Sequence, residues 1–175
     1  VPTQMLERMR FDKFDVRGNN STAGQRTSLE AALIAAKSFA TDPDGWITII
    51  GDTGVGKTQL AVSIAAEQIE QGRSVFFAFV PELLDHLRDT FSPKSTVTYA
   101  RLFQEVKNTP MLVLDDLGKE RSNPWAVEKL YQFIVHRHNS RLPTVITSMA
   151  RFTDEHDPIS SRLRDPYVNL PVEID

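Results

Sequence analysis

Five short apolar runs, rich in β-branched residues, are separated by longer stretches in which apolar residues return every three or four positions. The runs fall at 46–50, 74–80, 111–114, 143–147 and 168–174. Unbroken apolar character, as in Val75-Phe76-Phe77-Ala78-Phe79, suits a parallel strand covered on both faces. Helical spacing predicts a helix over 28–39, with Ser28 as N-cap and Leu29, Ala32, Leu33 and Ala36 as its stripe. Further helices are expected at 59–70, from Pro81 through Leu87, at 98–107, at 123–139 and at about 157–164. Asn123 and Pro124 supply an N-cap and first turn for the longest of these. Asp42-Pro43-Asp44-Gly45, Gln71-Gly72-Arg73 and Phe91-Ser92-Pro93-Lys94 punctuate the pattern. Strands alternating with helices predict an α/β fold, a three-layer αβα sandwich on a five-stranded parallel sheet.

Residues 1–26 read as an irregular entry segment ahead of a domain covering 27–175. In that segment Phe11, Phe14 and Val16 are spaced to dock on a surface, and Gly18-Asn19-Asn20-Ser21 marks a turn. The chain starts at Val1-Pro2 without an initiator Met, which points to a fragment of a longer protein.

The junction after the first strand carries the most specific chemistry. Gly51-Asp52-Thr53-Gly54-Val55-Gly56-Lys57-Thr58 matches the phosphate-binding loop G-x-x-x-x-G-K-[ST], placed between a strand and a helix as that loop requires. Its glycines let successive N–H groups face a polyphosphate, and the helix that follows adds the positive end of its dipole. Gln59 continues the binding segment. Lys57 is expected on the β- and γ-phosphates, and the Thr58 hydroxyl on Mg²⁺. ATP and ADP are the expected ligands.

The third strand ends in Asp115-Asp116. A carboxylate there sits beside the phosphate loop, so Asp115 is the second expected metal contact, and Asp116 the group that orients or deprotonates water. The fourth strand ends in Thr147-Ser148, either of which could orient water or touch the γ-phosphate. Arg162 ends the short helix near the C-terminus. It either stabilises charge on the transferring phosphoryl group, from a neighbouring subunit, or pairs locally with Asp157 or Asp165. His136 and His138 are expected at the surface, and Arg137 either against a neighbouring protomer or in a local ion pair.

Composition narrows the class. A chain of 175 residues with 41% hydrophobic and 25% charged residues makes one globular domain. No apolar run approaches the ~18 residues of a membrane span, so no membrane partner is expected. Absence of cysteine excludes disulfides and fits a reducing cytoplasm. The net charge of −3 gives no global footprint for nucleic acid, so any DNA contact must come from a local patch.

Taken together, the motifs resemble an AAA+ ATPase of the bacterial helicase-loader kind, the DnaC/DnaI group, with transposase-helper ATPases of the IstB kind as close relatives. The resemblance spans about 14–174. Its most specific part is Leu112-Val113-Leu114-Asp115-Asp116-Leu117-Gly118-Lys119-Glu120, followed by Ile146-Thr147-Ser148 and Ile159-Ser160-Ser161-Arg162-Leu163. It implies ATP bound between protomers of a homo-oligomer, Arg162 as a trans-acting finger, a replicative DNA helicase as partner, and contact with single-stranded DNA. The segment 81–108 takes the position of the group's DNA-facing helix and carries Arg88, Lys94 and Arg101 with Phe91 and Tyr99 interleaved, although these two rings also suit packing. Two departures stand out. The group places Asn where Met149 stands, and a thioether cannot donate a hydrogen bond. The helical lid of many AAA+ proteins is expected to be absent or minimal here. Three other readings share the loop: a transposase helper, a small-molecule kinase, and a low-turnover assembly module.

Overall fold

A computed structural model describes residues 3–16, 22–96, 98–120 and 123–175. The expected turn at 18–21 lies outside the described residues. Five parallel strands form one sheet in the order β2-β3-β4-β1-β5. They are β1 (Trp46–Gly51), β2 (Val75–Phe79), β3 (Met111–Leu117), β4 (Thr144–Ser148) and β5 (Asn169–Ile174). The helices are α1 (Thr3–Arg8), α2 (Ala23–Thr41), α3 (Lys57–Glu70), α4 (Val80–Asp89), α5 (Tyr99–Asn108), α6 (Pro124–Asn139) and α7 (Pro158–Leu163).

Side-chain alternation explains why both faces of the sheet are covered. Trp46, Ala78, Leu112, Leu114 and Ile146 point into a core closed by α4 to α7. Ile47, Ile49, Met111, Val113 and Val145 point into a second core closed by α2 and α3. Consecutive residues of one strand thus feed opposite cores, which is why the sequence shows apolar runs without an apolar/polar alternation. Among the described residues no helix is long and apolar enough to cross a membrane.

The N-terminal region departs from expectation. Residues 3–8 form α1 and 11–13 a 3₁₀ turn, where an irregular segment was expected. Phe11, Phe14 and Val16 do dock, packing on the α2–α3 core. Ser63 donates to Met9 O at 2.6 Å, and Arg10 pairs with Glu70, so this segment is tied to α3. Helix α2 also starts before Ser28. Thr22 is its N-cap in a reciprocal capping box with Gln25, which satisfies two backbone donors and extends the helix upstream. Ser28 lies inside the helix, donates to Gln25 O and accepts the Asp175 N–H.

Two basic residues of α6 are also placed differently from expectation. Arg137 is fully buried and faces no neighbour. It donates to Thr144 Oγ1 at 2.9 Å, Lys107 O at 3.2 Å, Thr109 O at 2.7 Å and Pro143 O at 2.7 Å. The guanidinium thus satisfies carbonyls where α5 ends and where β4 begins, and burial pushes its pKa down to about 10. His138 is half-buried, edge-on to Trp46 and 3.0 Å from Asp165 Oδ2. Arg137→Leu is expected to cost about 3 kcal/mol, because three partly buried carbonyls and Thr144 lose their donor and leucine offers none. A lowered urea midpoint checks this, and an unchanged midpoint would contradict the structural role.

Candidate nucleotide-binding site

The phosphate loop leaves β1 and enters α3 at the C-terminal edge of the sheet, where open α/β folds bind ligands. Gly56 has φ +107°, and a Cβ there would meet the Phe14 ring at 3.2 Å. Glycine is therefore required for the turn and for the seating of the N-terminal segment beneath it. A cleft of about 370 Å³ opens above the loop. Thr53, Gly54, Gly56, Lys57, Thr58 and Gln59 line one side, and Asp115, Asp116, Thr147, Met149 and Lys119 another. Gly51, Asp52 and Val55 of the loop do not line it. Gly51 is packed against Ile174, Val55 belongs to the α2–α3 core, and the Asp52 carbonyl accepts from Lys57 Nζ at 2.6 Å.

Three elements meet at Asp115. Thr58 Oγ1, in the first turn of α3, lies 3.1 Å from both carboxylate oxygens. Thr147 Oγ1, at the end of β4, donates to Asp115 Oδ1 at 2.6 Å and accepts the Asp116 N–H at 2.9 Å. The register between β3 and β4 shifts between Leu114 and Leu117, and Asp116 sits at φ +65°. This irregularity lets both acids of β3 face the cleft, where a regular pleat would send them to opposite faces.

Burial raises the pKa of Asp115 above the ordinary carboxylate range, against the hydroxyls of Thr147 and Thr58, which lower it. Burial likewise lowers Lys57, opposed by Asp116, Asp115 and Asp52. A hydroxyl and a buried carboxylate in contact form an all-oxygen donor pair, the chemistry that suits Mg²⁺. Thr58 and Asp115 would hold the ion, which when bound neutralises charge on phosphate oxygens.

Not every expected residue comes together. Ser148 is fully buried and donates to Leu117 O, so it closes the strand irregularity and does not reach the cleft. Arg162 does not line the cleft of its own chain. Its guanidinium lies 5.3 Å from the Tyr131 ring centroid and donates to Pro158 O at 3.0 Å. Asp157 caps α7 and Asp165 meets His138, in place of the ion pairs considered for Arg162. Met149 accepts from Thr53 Oγ1 at 3.1 Å through its sulfur. Sequence reading assigned no role to Lys119, Met9 or Phe79, which also line the cleft. For Lys119 the signal was present, since it stands three residues after Asp116 in the same motif.

A parallel sheet with this loop after β1 and paired acids ending β3 defines a P-loop NTPase of the AAA+ type. The family described as IstB-like ATP binding protein matches residues 6–163, and the chain belongs to it. The replicative helicase loader DnaI of Bacillus subtilis (strain 168) is 33% identical over 101 residues, covering 57% of this chain and 32% of that protein. The replicative helicase loader DnaC of Escherichia coli (strain K12) is 26% identical over 137 residues, 77% of this chain and 56% of that one. The chain thus spans from 32% to 56% of the length of these curated relatives. A solved structure described as the DnaC helicase loader has a TM-score of 0.76 at 23% identity, covering 99% of this chain and 100% of that one, a likeness of fold.

The electrostatics of Asp115 give a test with a defined sign. Its folded pKa lies above the unfolded value, so the native state binds more protons between the two and stability falls as pH rises through that window. Above the folded pKa the full cost of the buried charge is present. Asp115→Asn, which removes that buried charge, is therefore expected to raise the Tm at pH 7. A Tm below that of the wild type would contradict the burial argument.

Proposed function

We propose that this domain hydrolyses ATP with Mg²⁺ and acts in the cytoplasm as part of a replicative helicase loader. The observation that carries the ATPase reading is the hydrogen-bonded path from Thr58 through Asp115 and Thr147 to Asp116. It ties the phosphate loop to the acid that would receive a proton from water. In the reaction, the water oxygen bonds to the γ-phosphorus as the bond to the β–γ bridging oxygen breaks. ADP leaves with that electron pair, and the proton of the attacking water passes to Asp116. Lys57 holds the β- and γ-phosphates, and Thr147 fixes both acids without touching the reacting atoms.

Loading a helicase is the activity named for the curated relatives, and it supports that role here. Assembly through the ATP site is supported by the position of Arg162, half-exposed on Tyr131 and outside its own cleft. From a neighbouring protomer it would meet charge developing on the phosphoryl group. Single-stranded DNA contact through α4 and α5 is supported by Phe91, which is 64% exposed and stacked on Tyr99 at 5.1 Å. Tyr99 itself continues into Phe103 and Phe133, so it serves packing, and Phe91 is the ring with a face left for a base. A second reading, a transposase-helper ATPase with the same site, is favoured by the description of the matching family.

Lys57→Ala is expected to weaken ATP binding about 100-fold, the scale of one lost charge-assisted contact, measured by equilibrium titration. Arg162→Ala should leave binding intact and lower partner- or DNA-stimulated hydrolysis about a thousandfold. Hydrolysis unchanged by the Arg162 substitution removes the trans-acting role. Capture of the host's replicative helicase by the full-length protein, dependent on ATP, separates the loader from the transposase helper.

A further inference from the structure

Lys119 is the second lysine of the cleft, and the phosphate-loop motif gives it no role. Gly118, at φ +119°, turns the chain back after β3, and the Glu120 carboxylate accepts the Gly118 N–H at 2.9 Å. The turn brings Lys119 Nζ to 2.6 Å from Asp116 Oδ2. The two partners are unequal in freedom. Asp116 has its N–H bonded to Thr147 and a side chain only 18% exposed, whereas the Lys119 side chain is 63% exposed on a flexible stem. The ammonium can move; the carboxylate stays.

An exposed i,i+3 ion pair in a turn ordinarily contributes little and affects nothing else. This one differs in three respects. Its carboxylate belongs to the acid beside the phosphate loop. Its side chain lines the same cleft as Lys57 and Thr58. Met149 lines the same cleft, and its sulfur accepts from Thr53 and donates to nothing. The charged side chains lining the cleft are Lys57, Lys119, Asp115 and Asp116, which balance to zero. A γ-phosphate adds negative charge beside two carboxylates, and Lys119 is the lining cation placed to turn towards it.

We propose that Lys119 is a specificity-determining residue that reads the γ-phosphate. A triphosphate draws the ammonium from Asp116, and its departure frees that carboxylate to accept the proton of the attacking water. A diphosphate presents no competing anion there, and the pair with Asp116 persists. The presence of the scissile phosphate is thereby coupled to the availability of the base. This inference rests on the ATPase reading above.

The test compares affinities for ADP and for a non-hydrolysable ATP analogue in the wild type, Lys119→Met and Lys119→Arg. The Met variant is expected to bind the analogue about tenfold more weakly, with ADP affinity retained, and the Arg variant to keep the discrimination. Equal affinities for both nucleotides relative to wild type, or an equal loss for both, overturn the proposal. Lys57→Ala separates the two levels of inference. If both nucleotides still bind that variant as they bind the wild type, the nucleotide site itself is misassigned. If they do not, the Lys119 result stands on its own. The exposed position of Lys119 keeps folding out of the comparison, and circular dichroism verifies it.

Discussion

Asp115 is a buried carboxylate held by hydroxyls from two other elements, Thr58 at the start of α3 and Thr147 at the end of β4. The arrangement of the whole cleft edge depends on it. A charge so placed needs several partners, because desolvation disfavours it and each hydroxyl recovers only part of the loss. Meeting that need fixes the register of β3 against β4 and sets the phosphate loop beside the third strand. It also commits the Thr147 oxygen to Asp115 and to the Asp116 amide at once, so both acids are oriented by one side chain.

The same arrangement works against the stability of the protein alone. Burial pushes Asp115 up and Lys57 down, so both groups are held in surroundings that favour their neutral forms. Asp116 adds a left-handed backbone that non-glycine residues seldom adopt. A hydrophobic core on each face supplies the stability that tolerates this. Such local conflict between charge, backbone and burial is expected where a site is shaped for a ligand carrying the opposite charge pattern.

What the sequence made legible follows from the range of the interactions involved. Strands and helices repeat a local period, and the phosphate loop and paired acids are contiguous motifs, so both were readable. The capping box of α2 was also local, in Thr22 and Gln25, yet Ser28 stood closer to the apolar stripe and was taken in its place. Arg137 could not be read, because its partners lie on α5 and β4 and only the fold assembles them. The choice between Thr147 and Ser148 was equally hidden. Neighbours on a strand face opposite ways, and it takes the register with β3 to say which one meets Asp115.

Arg137 and Arg162 show how one residue type meets opposite surroundings within adjoining helices. Arg137 spends its donors on backbone carbonyls and a threonine inside the chain, which anchors the end of α6 to the sheet. Arg162 lies 5.3 Å from the centre of the Tyr131 ring and donates to one carbonyl in the first turn of its own helix, α7. An arginine placed that way keeps donors that the fold has not already committed to buried carbonyls. Burial tells the two apart where sequence could not: the donors of Arg137 are satisfied in the core, whereas Arg162 is partly exposed and makes one carbonyl hydrogen bond.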